Sequence, residues 1–260
     1  MIDLSFSVQE LEYFLLILVR VATFVFAAPF FSQKGVPNTV KIGLSVFVAY
    51  LMYDFTQPHI YPQYNTVLGY SVIVAKEVAV GLLVGFSAQV CTSIVVFAGR
   101  VIDMEIGLSM ANIFDPTTNQ QTSPTGALLQ YGTMLIMLVT GLHRFLIKAL
   151  VETFTLIPIN GAIFNMDSLL TSMVEFLADY IIIGFRICLP VYASITLMNI
   201  VLGLLAKLAP QMNMFSVGIQ LKLLAGLVVL FVVIGMLPDV CDFITRQMQQ
   251  MMVSVVEGMM

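Results

Sequence analysis

The chain has 260 residues, of which 59% are hydrophobic and 10% charged, with 11 Lys and Arg against 15 Asp and Glu. Soluble domains carry about a quarter charged residues, so the composition excludes an ordinary soluble domain and points to an integral membrane protein. A formal net charge of −4 without clustered Lys and Arg excludes nucleic-acid binding, which needs a basic surface.

In chain order, Asp3, Glu10 and Glu12 stand where a cleavable signal peptide would carry basic residues. The first apolar run, about Val8 to Ala28, is therefore expected as a retained helix with Arg20 well inside it. A loop bracketed by Pro29 and Pro37 leads to a second helix, about Thr39 to Tyr53. Lys34 and Lys41 favour a cytoplasmic side for that loop. An aromatic, proline-marked turn follows at Gln57 to Pro62. The third apolar region, Val67 to Val101, exceeds the ~20 residues that a straight span needs. It holds Lys76 and Glu77, then Gly81 and Gly85, whose GxxxG spacing puts both glycines on one face for close helix packing.

The stretch from Gly99 to Gly126 stands apart from the rest. Arg100, Asp103 and Glu105 crowd into an otherwise apolar chain. Arg100 and Asp103, three apart on a helix, are spaced to pair. Gly107 opens a short apolar tip carrying Leu108, Met110, Ile113 and Phe114. Asp115-Pro116 then ends any helix, because proline lacks an N–H and drives its predecessor from the α region. The polar run TTNQQTSPTG reads as loop. From these residues the tip is either part of a water-exposed loop or the occupant of a cavity or pore, where non-helical backbone is tolerated at membrane depth.

Beyond it, Ala127 to Thr140 and Phe145 to Leu156 are apolar, interrupted at Gly141 to Arg144. Lys148 and Glu152 are four apart and spaced to pair. Leu169 to Leu208 is again too long for one span, carries Arg186, and should kink at Pro190. Met214 to Leu237 follows with Lys222 inside and Pro238 at its end, and the tail from Asp239 to Met260 is amphipathic and Met-rich. The expected fold is all-α: one polytopic membrane domain, 1–260, of about six long, broken helices.

Catalytic signatures are missing. Cys91, Cys188 and Cys241 are far apart with no CxxC pair, and His59 and His143 are isolated, so no disulfide framework or metal site is expected. Gly107 to Ala111 resembles a G-x-S-x-G elbow but lacks the last glycine and a preceding strand. No P-loop, HExxH or GxGxxG occurs. The expectation is a non-enzyme without cofactor. Arg20, Lys76, Glu77 and Arg186 are expected as buried charges, since each costs a few kcal/mol or more facing lipid. They are either structural pairs between helices or part of a transport path, and a small secondary transporter with Lys76, Glu77 and Arg186 at a midplane site is one reading. No matching inverted halves support it. A third option has these helices facing protein subunits and water.

An ordered set of motifs resembles the FliR family of flagellar export-gate membrane proteins. It comprises Arg20 with Ala28-Pro29-Phe30 and Val36-Pro37; Glu77, Gly81 and Gly85-Phe86 leading through Gly99, Ile102-Asp103 and Gly107 to Asp115-Pro116; and Leu189-Pro190, Asn199, Leu202-Gly203, Ala209 to Phe215 and Gly218. The resemblance covers nearly the whole chain. It implies a non-enzymatic subunit of the type III export gate of the flagellar basal body in the bacterial inner membrane. The gate is shared with FliP-like and FliQ-like subunits and a FlhB-like subunit, and it admits unfolded exported chains. It also implies a FliP-like part, 1–165, followed by a FliQ-like helical hairpin, 166–260. The family's pore-plugging loop matches Gly107 to Thr122, with Gly107, Leu108, Met110, Ile113, Phe114, Asp115 and Pro116 as plug residues. Arg100, Asp103 and Glu105 would then anchor it. Typical members carry more aromatic side chains at the tip; here Met110 and Ile113 replace expected phenylalanines and Phe114 remains.

Overall fold

A computed structural model describes residues 7–33, 35–59, 61–110, 123–209, 211 and 213–260. Among these the chain is all-α, with eight α-helices and no strand. They are α1 (Val8–Ala27), α2 (Asn38–Phe55), α3 (Val67–Ile106), α4 (Pro124–Val139), α5 (Leu142–Leu156), α6 (Met166–Leu208), α7 (Met214–Ile234) and α8 (Leu237–Glu257).

Local chemistry sets most of the ends. Ser7 and Glu10 form a capping box that starts α1, satisfying two N–H groups that the first turn would otherwise leave open. At its other end Ala28 is extended, as the residue before Pro29 must be. Gly107, at φ +91°, closes α3 by donating its N–H to the Asp103 carbonyl, a left-handed cap that glycine adopts without strain. Ser123 caps α4 and Pro124 occupies its first turn, where a missing N–H costs nothing. Gly141, at φ +85°, parts α4 from α5.

More helices are present than the six expected, because short breaks divide apolar stretches. Pro238 is one correction: it opens α8 rather than closing the preceding helix, since proline fits a first turn better than a last one. Lys41 is another. It lies in the first turn of α2, as the expected Thr39–Tyr53 helix has it, but is buried, its ammonium over the Phe26 ring.

Among the described residues three helices are long and apolar enough to cross a membrane: α3, α6 and the Ser216–Ile234 stretch of α7; α4 and α5 give a fourth if counted as one span. With 40 and 43 residues, α3 and α6 each extend about 60 Å, twice the roughly 30 Å of a hydrocarbon core. Large apolar side chains on α6 and α7, among them Leu177, Ile181, Leu189, Phe231 and Val232, are exposed and need lipid or protein to cover them.

The chain divides into two compact units, both discontinuous in sequence. The first comprises 1–91, 141–176 and 246–260. Its core is built on the α1 stripe Tyr13, Leu16, Ile17, Val21, Phe24 and Val25, with Val80 and Val84 of α3 and Leu146 and Leu150 of α5. The second comprises 92–140 and 177–245, and buries Ile94, Ile102 and Ile106 of α3, Leu129 and Met137 of α4, and Val191 and Ile195 of α6.

Candidate functional site

In the first unit Arg20 falls on the buried stripe of α1 and is completely enclosed. An isolated charge there would be prohibitively costly, and the fold answers it from three sides. Nε donates to Oε2 of Glu77 at 2.6 Å, Glu77 being equally enclosed. Nη1 donates to the carbonyls of Ile157 (2.8 Å) and Thr153 (3.2 Å), so the cation sits at the C-terminal end of α5, where the helix carries partial negative charge. The Phe154 ring lies 4.5 Å from the guanidinium carbon. Glu77 in turn accepts the Asn160 N–H on Oε1 at 2.9 Å. Both carboxylate oxygens are engaged, which removes Glu77 as a free ligand for a transported solute.

One and two turns further along α3 come the glycines. A Cβ at Gly81 would overlap the Thr23 hydroxyl and the Arg20 carbonyl, and one at Gly85 would lie 2.8 Å from Ala27 Cβ and 2.9 Å from the Phe24 carbonyl oxygen. The i, i+4, i+8 spacing of Glu77, Gly81 and Gly85 thus forms one seam against α1. Of the other charges read as buried, Lys76 is half-buried and Arg186 is exposed within this chain. Lys76 lies about 100° around the helix from Glu77, away from the seam.

The second unit repeats the spacing with Gly99, Asp103 and Gly107. A Cβ at Gly99 would overlap the Gly126 backbone, so α3 and α4 touch main chain to main chain there. Asp103, 3% exposed, does not pair with Arg100, which is exposed; among the described residues the ion pairs are Arg20–Glu77 and Lys148–Glu152. Instead Asp103 Oδ2 accepts the Ser123 hydroxyl at 2.5 Å and the Thr125 N–H at 3.3 Å. Ser123 Oγ also accepts the Gly126 N–H at 2.9 Å. The physical reason is plain: the first turn of α4 offers unpaired N–H groups and a partial positive charge that suit a buried carboxylate, whereas Arg100 reaches solvent or lipid at less cost. Glu105 is half-buried.

These bonds tie the last turn of α3 to the first residues of α4. Gly107 starts the 107–122 stretch, and Leu108–Met110 form a single 3-10 turn. Ile113, Phe114, Asp115 and Pro116 lie outside the described residues, as does the rest of 111–122. Three contributors escaped sequence reasoning: Ser123, Gly126 and the α5 carbonyls. Ser123-Pro124 carried a signal, the N-cap and N1-proline pattern of a helix start, but it was submerged in a run that read as loop.

Among the described residues no group of three or more His, Cys, Asp or Glu side chains is placed to hold a metal ion. What the two seams do is join helices tightly, by buried carboxylates and by glycines.

Residues 11–254 match the family described as Bacterial export proteins, family 1. A flagellar biosynthetic protein FliR from Bacillus subtilis (strain 168) is 30% identical over 223 residues, covering 84% of this chain and 85% of that protein. One from Aquifex aeolicus (strain VF5) is 29% identical over 226 residues, 86% of each. One from Escherichia coli (strain K12) is 24% identical over 239 residues, 92% and 90% respectively. With a match that runs almost from end to end, this chain belongs to the bacterial export protein family.

Proposed function

We propose that this chain is a non-enzymatic component of the flagellar type III export apparatus, embedded in the bacterial inner membrane at the basal body. It forms a pore with FliP-like and FliQ-like subunits, beside a FlhB-like subunit, through which unfolded chains leave the cell interior. The family match and the flagellar relatives support the export role. Residues 1–165 act as the FliP-like part and 166–260 as the FliQ-like hairpin, the division falling in the connection between α5 and α6.

The observation that carries the gate reading is the root of 107–122. A buried carboxylate, a helix cap and a glycine contact hold the end of α3 against the start of α4, the two described helices that flank the stretch proposed as the plug. Within a pore, apolar side chains seal against small ions by excluding water. Met110 suits such a seal, being flexible and unbranched.

Co-expression tests the assembly. Produced alone, the exposed apolar surface of α6 and α7 should drive aggregation; produced with its FliP-like and FliQ-like neighbours, the chain should purify as a discrete particle. A monodisperse monomer in detergent, with full helicity and no partner, contradicts the proposal.

A further inference from the structure

We propose that the groove between α6, α7 and α8 in the second unit binds one ethanolamine phospholipid. The end of an acyl chain enters its apolar part, the phosphate meets Arg186 and the ammonium meets Asp239. The site stands clear of 107–122 and holds whether or not that stretch is a plug.

Charge spacing puts this groove at the edge of a bilayer. In α6, 20 uncharged residues, 187–206, lie between Arg186 and Lys207. At 1.5 Å per residue they extend about 30 Å, the thickness of a hydrocarbon core. The Ser216–Ile234 stretch of α7 has 19 residues, with Lys222 its one charge, and matches that length. The two stretches pack antiparallel: Leu202 lies beside Gly218 towards one end, and Ile187 and Val233 share the cavity at the other. Arg186 and the α7–α8 junction therefore stand at one level, that of the headgroups.

The cavity holds about 230 Å³, with Ile183, Ile187, Val233 and Phe243 as apolar wall and Arg186, Pro190 and Asp239 also lining it. Pockets for whole small molecules begin at roughly 300 Å³, so this one takes the end of a chain and leaves the headgroup outside. Arg186 and Asp239 are exposed, and among the described residues neither belongs to an ion pair. A cation and an anion held apart beside one apolar groove complement a zwitterion. Pro190 adds a third group. It has no N–H to give the Arg186 carbonyl, four residues earlier in the helix, and so leaves that carbonyl without its usual donor. An ethanolamine ammonium can donate to both the carboxylate and this carbonyl. A choline headgroup has no N–H to donate, and a glycerol headgroup brings no positive charge to Asp239.

The test uses the complex co-expressed with its neighbouring subunits, purified in mild detergent and supplied with a phosphatidylethanolamine that carries a photoreactive diazirine at the end of one acyl chain. Mass spectrometry of the digested chain maps the labelled residues. Labelling is expected at Ile187, Val233 and Phe243, above that on the exposed Leu197, Leu204 and Phe231 of the same helices. Unlabelled phosphatidylethanolamine should suppress it at about tenfold lower concentration than phosphatidylcholine or phosphatidylglycerol, each of which forgoes a hydrogen bond to a charged group. Arg186→Ala should raise the lipid concentration for half-maximal labelling by roughly 10- to 100-fold, for the same reason. Asp239→Asn should remove the preference for phosphatidylethanolamine over phosphatidylglycerol. Should either variant lower recovery of the complex, competition on the unaltered complex decides alone. Labelling spread evenly along α6 and α7, or equal competition by the three lipids, reduces the groove to ordinary bilayer contact and overturns the proposal. Groove residues left unlabelled in the assembled complex mean that a neighbouring subunit covers them, and overturn it as well.

Discussion

At the scale of single residues, two ion pairs in this chain carry opposite expectations. Arg20 and Glu77 are fully enclosed. Removing either partner leaves a buried charge, so Glu77→Ala or Arg20→Ala should destabilise the protein by about 3–5 kcal/mol. Replacing both with apolar residues should cost less than the sum of the single changes, a coupling that thermal unfolding of the four proteins would measure. Lys148–Glu152, at 3.5 Å and largely exposed, should contribute at most about 0.5 kcal/mol, and Glu152→Gln should leave the same thermal measurement nearly unchanged. Cys241 offers a third check. Burial pushes its thiol up to about 11, so the thiolate that alkylating reagents attack is scarce at neutral pH. Labelling of Cys241 at pH 8 should be slow in the folded protein and fast after denaturation. Ionising it disfavours the fold, an effect absent below the ordinary thiol range near 9 and growing as pH rises towards 11.

At the scale of helices, the glycine seams set the expectations. Gly85→Leu must part α1 from α3, and Gly99→Leu must part α3 from α4. Both should exceed the about 1–3 kcal/mol of ordinary overpacking, because backbone atoms, joined at Gly85 by the Ala27 Cβ, stand in the way and cannot swing aside. A loss of assembled complex would register it; normal recovery of Gly85→Leu would mean α1 and α3 do not meet there. Much of this level was legible in the sequence. Gly81 and Gly85 announced themselves by spacing, and the start of α1 and the break at Gly141 lie within a residue or so of where pattern placed them. Partners separated in sequence were not legible. Glu77 lies 57 residues from Arg20, and nothing local selects it over the other acids of α3, Asp103 and Glu105. Asp103 looked like the partner of Arg100, three residues away, yet α4 supplies the better donors 20 and 22 residues on. Short-range pattern sees the same helix face and misses the helix that arrives across from it.

At the scale of the whole molecule, family membership and an all-α membrane fold agree with an apolar chain whose charges are few and placed. The helices α3 and α6 outrun a bilayer, and α6 and α7 leave apolar faces uncovered. Both features suit a subunit that completes its packing against other chains. The proposed work of that assembly is to stay closed to ions while admitting a polypeptide, and 107–122 is the stretch assigned to it. The direct measurement is membrane conductance of cells carrying the assembled complex with residues 107–122 deleted. A complex recovered in normal amount with raised conductance is the predicted result. The same recovery with conductance unchanged would contradict it.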